Sequence, residues 1–355
     1  MNDFMTPPNH IHFLAKMNKI IFTIFLAITT FFVFGQKSQM DIGLAPINKI
    51  KTKVSRETNY VLHILSVAKC GYDNEYGNQY ASYHSAEDLK ILKNYERLIT
   101  VKGGEYTGEL YGLVILPARL DIEAARYYES LGHLFETGNF EENIRQYKEI
   151  YKYFLYENEE DLLPSVRELY NAFQQHREAI VMIFDVMKRN YPIYCNKIWE
   201  KSKEELIPYA KAVEDIFVEK NLSHTLEKLT NISLQNDFTA TFVNSISGGA
   251  EAIDISKSLD VFGVGRDYKD AVKFISHEFV IYLLIQAFEN KETFVKYWIY
   301  TEGLAEFYLT LVGLDSGYFS EVQDIIEYYK KIYQENNNLS ALELFMNAKK
   351  EFEKE

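Results

Sequence analysis

The sequence predicts an α+β chain, predominantly helical, with a small antiparallel or mixed sheet late in the chain. Three observations carry this expectation. Apolar residues recur at helical spacing over most of the chain beyond Thr58. Near Phe238 the spacing changes to strict alternation, with Phe238, Ala240 and Phe242 on one face and Thr239 and Thr241 on the other. From Tyr268 onward the helical period returns. Helices on either side of a short run of strands make an α+β chain.

The N-terminal segment is read as a targeting signal. Ile20 to Phe34 form an apolar run broken only by threonines, Lys16 and Lys19 precede it, and Val33-Phe34-Gly35 offers a small-residue cleavage site before Gln36. The run is short for a membrane span, which needs about 20 apolar residues. Residues 1–35 are therefore expected to be a secretory signal, with Met17 as an alternative start, and the protein to be exported, periplasmic or extracellular. No cysteine follows the apolar run, which disfavours a lipid anchor there. No stable membrane span is expected after cleavage.

A polar lead, Gln36 to Thr58, comes next. Tyr60, Ile64, Val67 and Cys70 mark a first helix. His84-Ser85 followed by Glu87 reads as a helix start, continuing through Leu89, Ile91, Leu92 and Tyr95. Further helices are expected over Ile122–Thr137, Phe140–Tyr156, Leu163–Met187 and Tyr194–Phe217. Pro164, Pro192 and Pro208 punctuate them, and Pro208 should kink or divide the last. Leu226 to Leu234 and Phe238 to Val243 look extended, Gly248-Gly249 permits a tight turn, and Ala250–Ile255 and Leu259–Val264 read as the next strands. The expected organisation is a signal over 1–35, a helical region over 36–225 and a chemistry-bearing region over 226–355. The last two are expected to form one compact unit.

Composition excludes some functions. Lys and Arg total 38 against 51 Asp and Glu, a net charge of -13, and no basic run offsets it. Phosphate backbones need concentrated positive charge, so a nucleic-acid partner is not expected. Hydrophobic residues at 47% supply ample core for one large domain or two intimate ones. Only Cys70 and Cys195 are present. They allow one disulfide or two separate thiols, and no cysteine zinc module. The 27 tyrosines run through the helical stretches, where amphipathic packing explains them.

The most informative stretch is Phe274-Ile275-Ser276-His277-Glu278-Phe279-Val280-Ile281-Tyr282-Leu283-Leu284, on a predicted helix after the strands. Twenty residues beyond Tyr282 comes Glu302-Gly303-Leu304-Ala305-Glu306-Phe307-Tyr308, also helical. With 8 His and 51 acidic residues, one His-Glu pair by itself carries no information. The apolar flanks, the strands before and the Glu-Gly-x-Ala-Glu-Phe run after give it weight.

Together these segments resemble the gluzincin zinc metallopeptidases, whose pattern is HExxH on one helix and a glutamate, often within E-G-x-A-x-[FY], on a later one. The resemblance covers roughly the last third of the chain and implies a zincin-like fold with the sheet packed on the motif helix. Residues at i and i+4 share a helix face, so two imidazoles can grip one zinc ion. A third ligand and a water complete a catalytic site, with the motif glutamate as general base. By resemblance, His277 is a zinc ligand, Glu278 the base and Glu302 the third ligand. Glu306, one turn on, would accept the other N–H of His277.

The sequence departs from the pattern at one place. The second histidine belongs at position 281, which is Ile281. Tyr282 is one residue too late, about 100° further round the helix. Isoleucine cannot ligate a metal, and the run Phe279 to Ile285 reads as a helix that has filled the metal position with core. The expectation is an exported gluzincin-like homologue with a degraded zinc site, non-catalytic, acting on a peptide or protein ligand by binding. Two other readings stand beside it. One is an active metallopeptidase with a non-standard ligand set on zinc. The other is an unrelated helical exported protein that binds peptides or glycans. On that last view His277 is a buried histidine hydrogen-bonded to Glu306 or Glu302.

Other motifs lead elsewhere. His63, His84, His133, His176 and His224 share no ligand spacing. Gly263-Val264-Gly265 lacks the third glycine of a dinucleotide loop and reads as the turn before the motif helix, with Asp267 as cap. Gly103-Gly104 reads as a turn. The acidic cluster Glu157, Glu159, Glu160 and Asp161 reads as a solvated loop rather than a calcium site. No G-x-S-x-G motif is present.

Overall fold

Side chains of Ser55, Asn74, Asn139, Asp267 and Ser340 cap the starts of five described helices. The structure is a computed structural model; it describes residues 48–353 except 73, 102–107, 156–158, 247–249, 255–258, 266, 289–297 and 315–321. The expected signal segment, the Gly103-Gly104 and Gly248-Gly249 turns and Glu157 lie outside the described residues. Strand β1 (Ile50–Lys53) opens the described fold. Helices α1 (Arg56–Val67), α2 (Glu75–Tyr80), α3 (Ala86–Asn94), α4 (Glu96–Ile99), α5 (Tyr111–Val114) and α6 (Leu116–Leu120) follow. Then come α7 (Ala124–Thr137), α8 (Phe140–Tyr151), α9 (Leu162–Phe173), α10 (Arg177–Tyr194), α11 (Glu200–Lys220) and α12 (Leu222–Thr230). Strands β2 (Phe238–Val243), β3 (Ala250–Asp254) and β4 (Leu259–Gly263) lead to α13 (Tyr268–Ala287), α14 (Trp298–Leu311), α15 (Gln323–Glu335) and α16 (Ala341–Phe352). Residues 46–355 form one compact unit. No described helix is long and apolar enough to cross a membrane.

Several sequence expectations need correction. The polar lead is not featureless: Ile50–Lys53 is a strand, and Ser55 caps α1 by accepting from the Thr58 N–H. Only Ile50 of that strand is fully buried, so pairing is by backbone and leaves little hydrophobic pattern to read. Leu226 to Leu234 is not extended. Leu222, Leu226 and Thr230 stack at i, i+4 on the buried face of α12, which ends on Asn231 in the left-handed region. Pro208 does not divide α11, which runs through it. It lies on the solvent face, where the unpaired carbonyl one turn back meets water. The interruptions fall instead at a 3₁₀ turn, Gln174–His176, and a π-helical turn, Cys195–Trp199, just after Pro192.

The sheet is mixed, in the order β1-β2-β4-β3. The antiparallel alternative does not hold: β1, β2 and β4 run parallel, and only the outer strand β3 is antiparallel, to β4. Parallel neighbours need a crossover, and the segment between β1 and β2, helical over most of its described residues, supplies it.

Strand alternation divides the core in two. Val243 and Val261 face the helical core built mainly from α1 and α3–α10. Phe238, Ala240, Phe242 and Phe262 face a second core shared with α11–α16. The tyrosines pack as expected, and among the described residues seven are fully buried, including Tyr127, Tyr128 and Tyr329. Several of their hydroxyls find backbone carbonyls: Tyr127 donates to Leu113 at 2.9 Å and Tyr128 to Val114 at 2.6 Å, whereas the Tyr194 hydroxyl has no partner among the described residues. Cys70 and Cys195 are both free thiols.

Candidate functional site

Helix α13 begins where the sequence placed its cap, with the Asp267 carboxylate accepting from the Lys269 N–H at 2.9 Å. It packs against the sheet through Phe279 and Tyr282, both in ring contact with Phe238. Helix α14 crosses it. Gly303 lets α14 approach α15: a Cβ there would lie 2.8 Å from Ile325 Cγ2. That close approach gives the glycine of the Glu302-Gly303 pair a packing role.

The two helices bring three of the predicted residues together. The His277 ring is buried, with Nδ1 2.7 Å from Glu306 Oε1 and Nε2 2.8 Å from Glu302 Oε2. Glu306 is buried and Glu302 partly exposed. Both ring nitrogens face carboxylates, so both carry protons and the ring is an imidazolium. Burial alone would depress its pKa, but the hydrogen bonds it donates to Glu302 and Glu306 outweigh this and hold it at about 10.

Glu278 is the next residue on α13, about 100° round the helix. Burial raises its carboxyl to about 7, and the charges of Asp260 and Glu302 push the same way while that of His277 opposes. Ile281 lies one turn beyond His277 on the same face and is buried within the second core. Tyr282 turns to the sheet and donates to Asp260 Oδ1 at 2.6 Å.

Asp260 was not singled out from the sequence. It stands on interior strand β4, fully buried, and its second oxygen has no partner among the described residues. Burial raises it to about 6, against the opposing hydrogen bond from Tyr282. The available signal was a carboxylate at the inward phase of Leu259-Asp260-Val261-Phe262. The other missed cluster joins His63 and His84, 2.8 Å apart at their Nε2 atoms, and no sequence spacing announced it.

The donor set does not fit zinc. A catalytic zinc takes three protein ligands; His277 and Glu302 supply two donors, and Ile281, one turn on from His277, supplies none. Among the described residues no group of three His, Cys, Asp or Glu side chains is arranged to hold a metal ion. What this geometry provides is a charged crosslink between α13 and α14, beside a carboxyl that exchanges its proton near neutrality. Comparison of the chain with known protein families, with curated proteins and with solved structures finds no match.

Proposed function

We propose that this chain is an exported, gluzincin-like scaffold whose metal position has been taken over by core, and that it binds a peptide or protein segment without cleaving it. One observation carries the reading. Glu306 accepts from His277 Nδ1, the contact the resemblance implies, and Glu302 lies at the other ring nitrogen, while Ile281 stands one turn along the helix where a second imidazole is required. The outer position of β3, which among the described residues pairs only with β4, supports a peptide-binding role, because an outer strand can accept an extended segment by backbone hydrogen bonding. Elemental analysis of the purified protein tests the proposal. Zinc well below one equivalent after dialysis is the expected result, and stoichiometric, tightly held zinc overturns it. Ile281→His should then bring zinc binding back.

The Glu278 carboxyl near 7 favours a second reading, an active hydrolase with an altered ligand set, since a general base works best close to the ambient pH. That reading requires chelator-sensitive peptide cleavage that Glu278→Gln abolishes. Cleavage that survives both excludes it.

A further inference from the structure

We infer that His63 and His84 form a proton-operated latch that holds the segment Glu75–His84 against the helical core when both rings are neutral and releases it in acid.

The hydrogen bonds fix the direction of every proton in the cluster. Asn190 Nδ2 donates to Asp88 Oδ2 at 2.7 Å and to the Val186 carbonyl at 2.8 Å. Asn190 Oδ1 therefore accepts, and His84 Nδ1, 2.8 Å away, donates. A neutral His84 then offers a lone pair at Nε2, and His63 Nε2–H donates to it across 2.8 Å. His63 Nδ1 is left as acceptor, and the Tyr76 hydroxyl donates to it at 2.8 Å. Each ring is a single tautomer, and the chain Tyr76–His63–His84–Asn190–Asp88 spans α1, α2, the turn after α2, α10 and α3.

Two opposed nitrogens are too few donors for a metal, but they form a complete proton site. His63 is fully buried, with the rings of Tyr76, Tyr80 and Tyr194 packed around it. The titratable groups facing the pair are these tyrosines, then Asp88 with Arg189 beyond Asn190, and Glu205 of α11 near Tyr76. Asp88 is already paired with Arg189 and Asn190, and Glu205 with Lys201; the charge of Asp88 favours a protonated His84 but does not overcome the burial that disfavours it. One added proton puts a full charge among tyrosine rings, and a second sets N–H against N–H. Burial lowers the pKa of both rings. The sign follows: the opened form binds protons more readily, so opening becomes easier as pH falls below the free imidazole value of about 6.5.

Tautomer-sensitive ¹H–¹⁵N spectra of the full chain at pH 7.5 test the ground state. His63 should carry its proton on Nε2 and His84 on Nδ1; the same tautomer on both rings overturns the latch. Amide hydrogen exchange tests the release. Between pH 7.5 and 5, after correction for intrinsic rates, opening of residues 75–84 should rise by about tenfold or more, each tenfold being about 1.4 kcal/mol of closing free energy lost. Ala124–Thr137 should change much less. A flat profile in 75–84 overturns the inference, and so does the same acid response in a folded His84→Gln variant. If that variant does not fold, His63→Gln takes its place and is judged the same way.

Discussion

The helical core and the motif core each bury a histidine almost completely, and they hold it in opposite charge states. His63 is surrounded by tyrosine rings and a second imidazole, and burial keeps it neutral. His277 lies between two carboxylates, which overcome a comparable burial penalty and keep it charged to about pH 10. The partners decide, because the cost of burying a charge is offset only by groups of opposite sign that point hydrogen-bonding atoms at it. One core therefore contains a group that titrates on acidification, and the other a group that titrates only in strong alkali.

The comparison can be broken most forcefully at Glu306. Glu306→Ala removes one arm of the clamp and leaves a buried imidazolium half-paired; urea unfolding at pH 7 should show a loss of about 3–5 kcal/mol. An unchanged midpoint would mean that the clamp contributes nothing to stability.

Alkaline titration sharpens the contrast. The folded pKa of His277 lies above the unfolded value, so its contribution is complete below about pH 6.5 and is lost as pH rises toward about 10. The slope attributable to this ring reaches up to about 1.4 kcal/mol per pH unit. Wild type and His277→Gln, compared by chemical unfolding from pH 6 to 10, should converge as pH rises; parallel curves would contradict the charged state. The His63–His84 pair contributes with the opposite sign, losing stability as pH falls.

A smaller effect is expected at Gly303. Gly303→Ala forces a methyl against the β-branched Ile325, and a loss of about 1–3 kcal/mol should appear as a lowered Tm. A neutral outcome would show that α14 and α15 can separate without cost.

The smallest change has the reverse sign. Asp260 titrates at about 6 in the fold, above its unfolded value, so the folded state holds the extra proton and stability falls as pH rises through about 4–6. Asp260→Asn keeps an acceptor for Tyr282 and removes the buried charge. It should stabilise the protein by about 1 kcal/mol at pH 7.5 and by less at pH 5. No difference between the two pH values would show that the carboxylate is compensated.

Legibility in the sequence followed the range of the interactions. The start of α13 could be read because Asp267 acts on the turn beside it; α3 starts after Ser85 as read, although the Ser85 side chain makes no capping hydrogen bond. Strand β2 could be read from alternation, and β3 and β4 as the strands that follow it. Strand β1 could not: its partner β2 lies almost two hundred residues away, and backbone pairing leaves three of its four side chains only half buried. Helix α12 was mistaken for strand because Leu226–Leu234 mixes apolar and polar residues in a short window that either period fits.

The candidate site divides in the same way. The sequence by itself determined that position 281 carries no ligand, since isoleucine has no donor atom in any fold. It also placed His277 and Glu278 together on one helix, and Glu302 one turn from Glu306 on another, because the i, i+4 relation is local. Tertiary structure alone decided that Glu302 and Glu306 close on the two nitrogens of one ring and make it a cation. It alone decided that Asp260 is buried without a second partner and that His63 meets His84. These outcomes depend on distances between residues far apart in the chain, and on the local dielectric, which packing creates and composition does not specify.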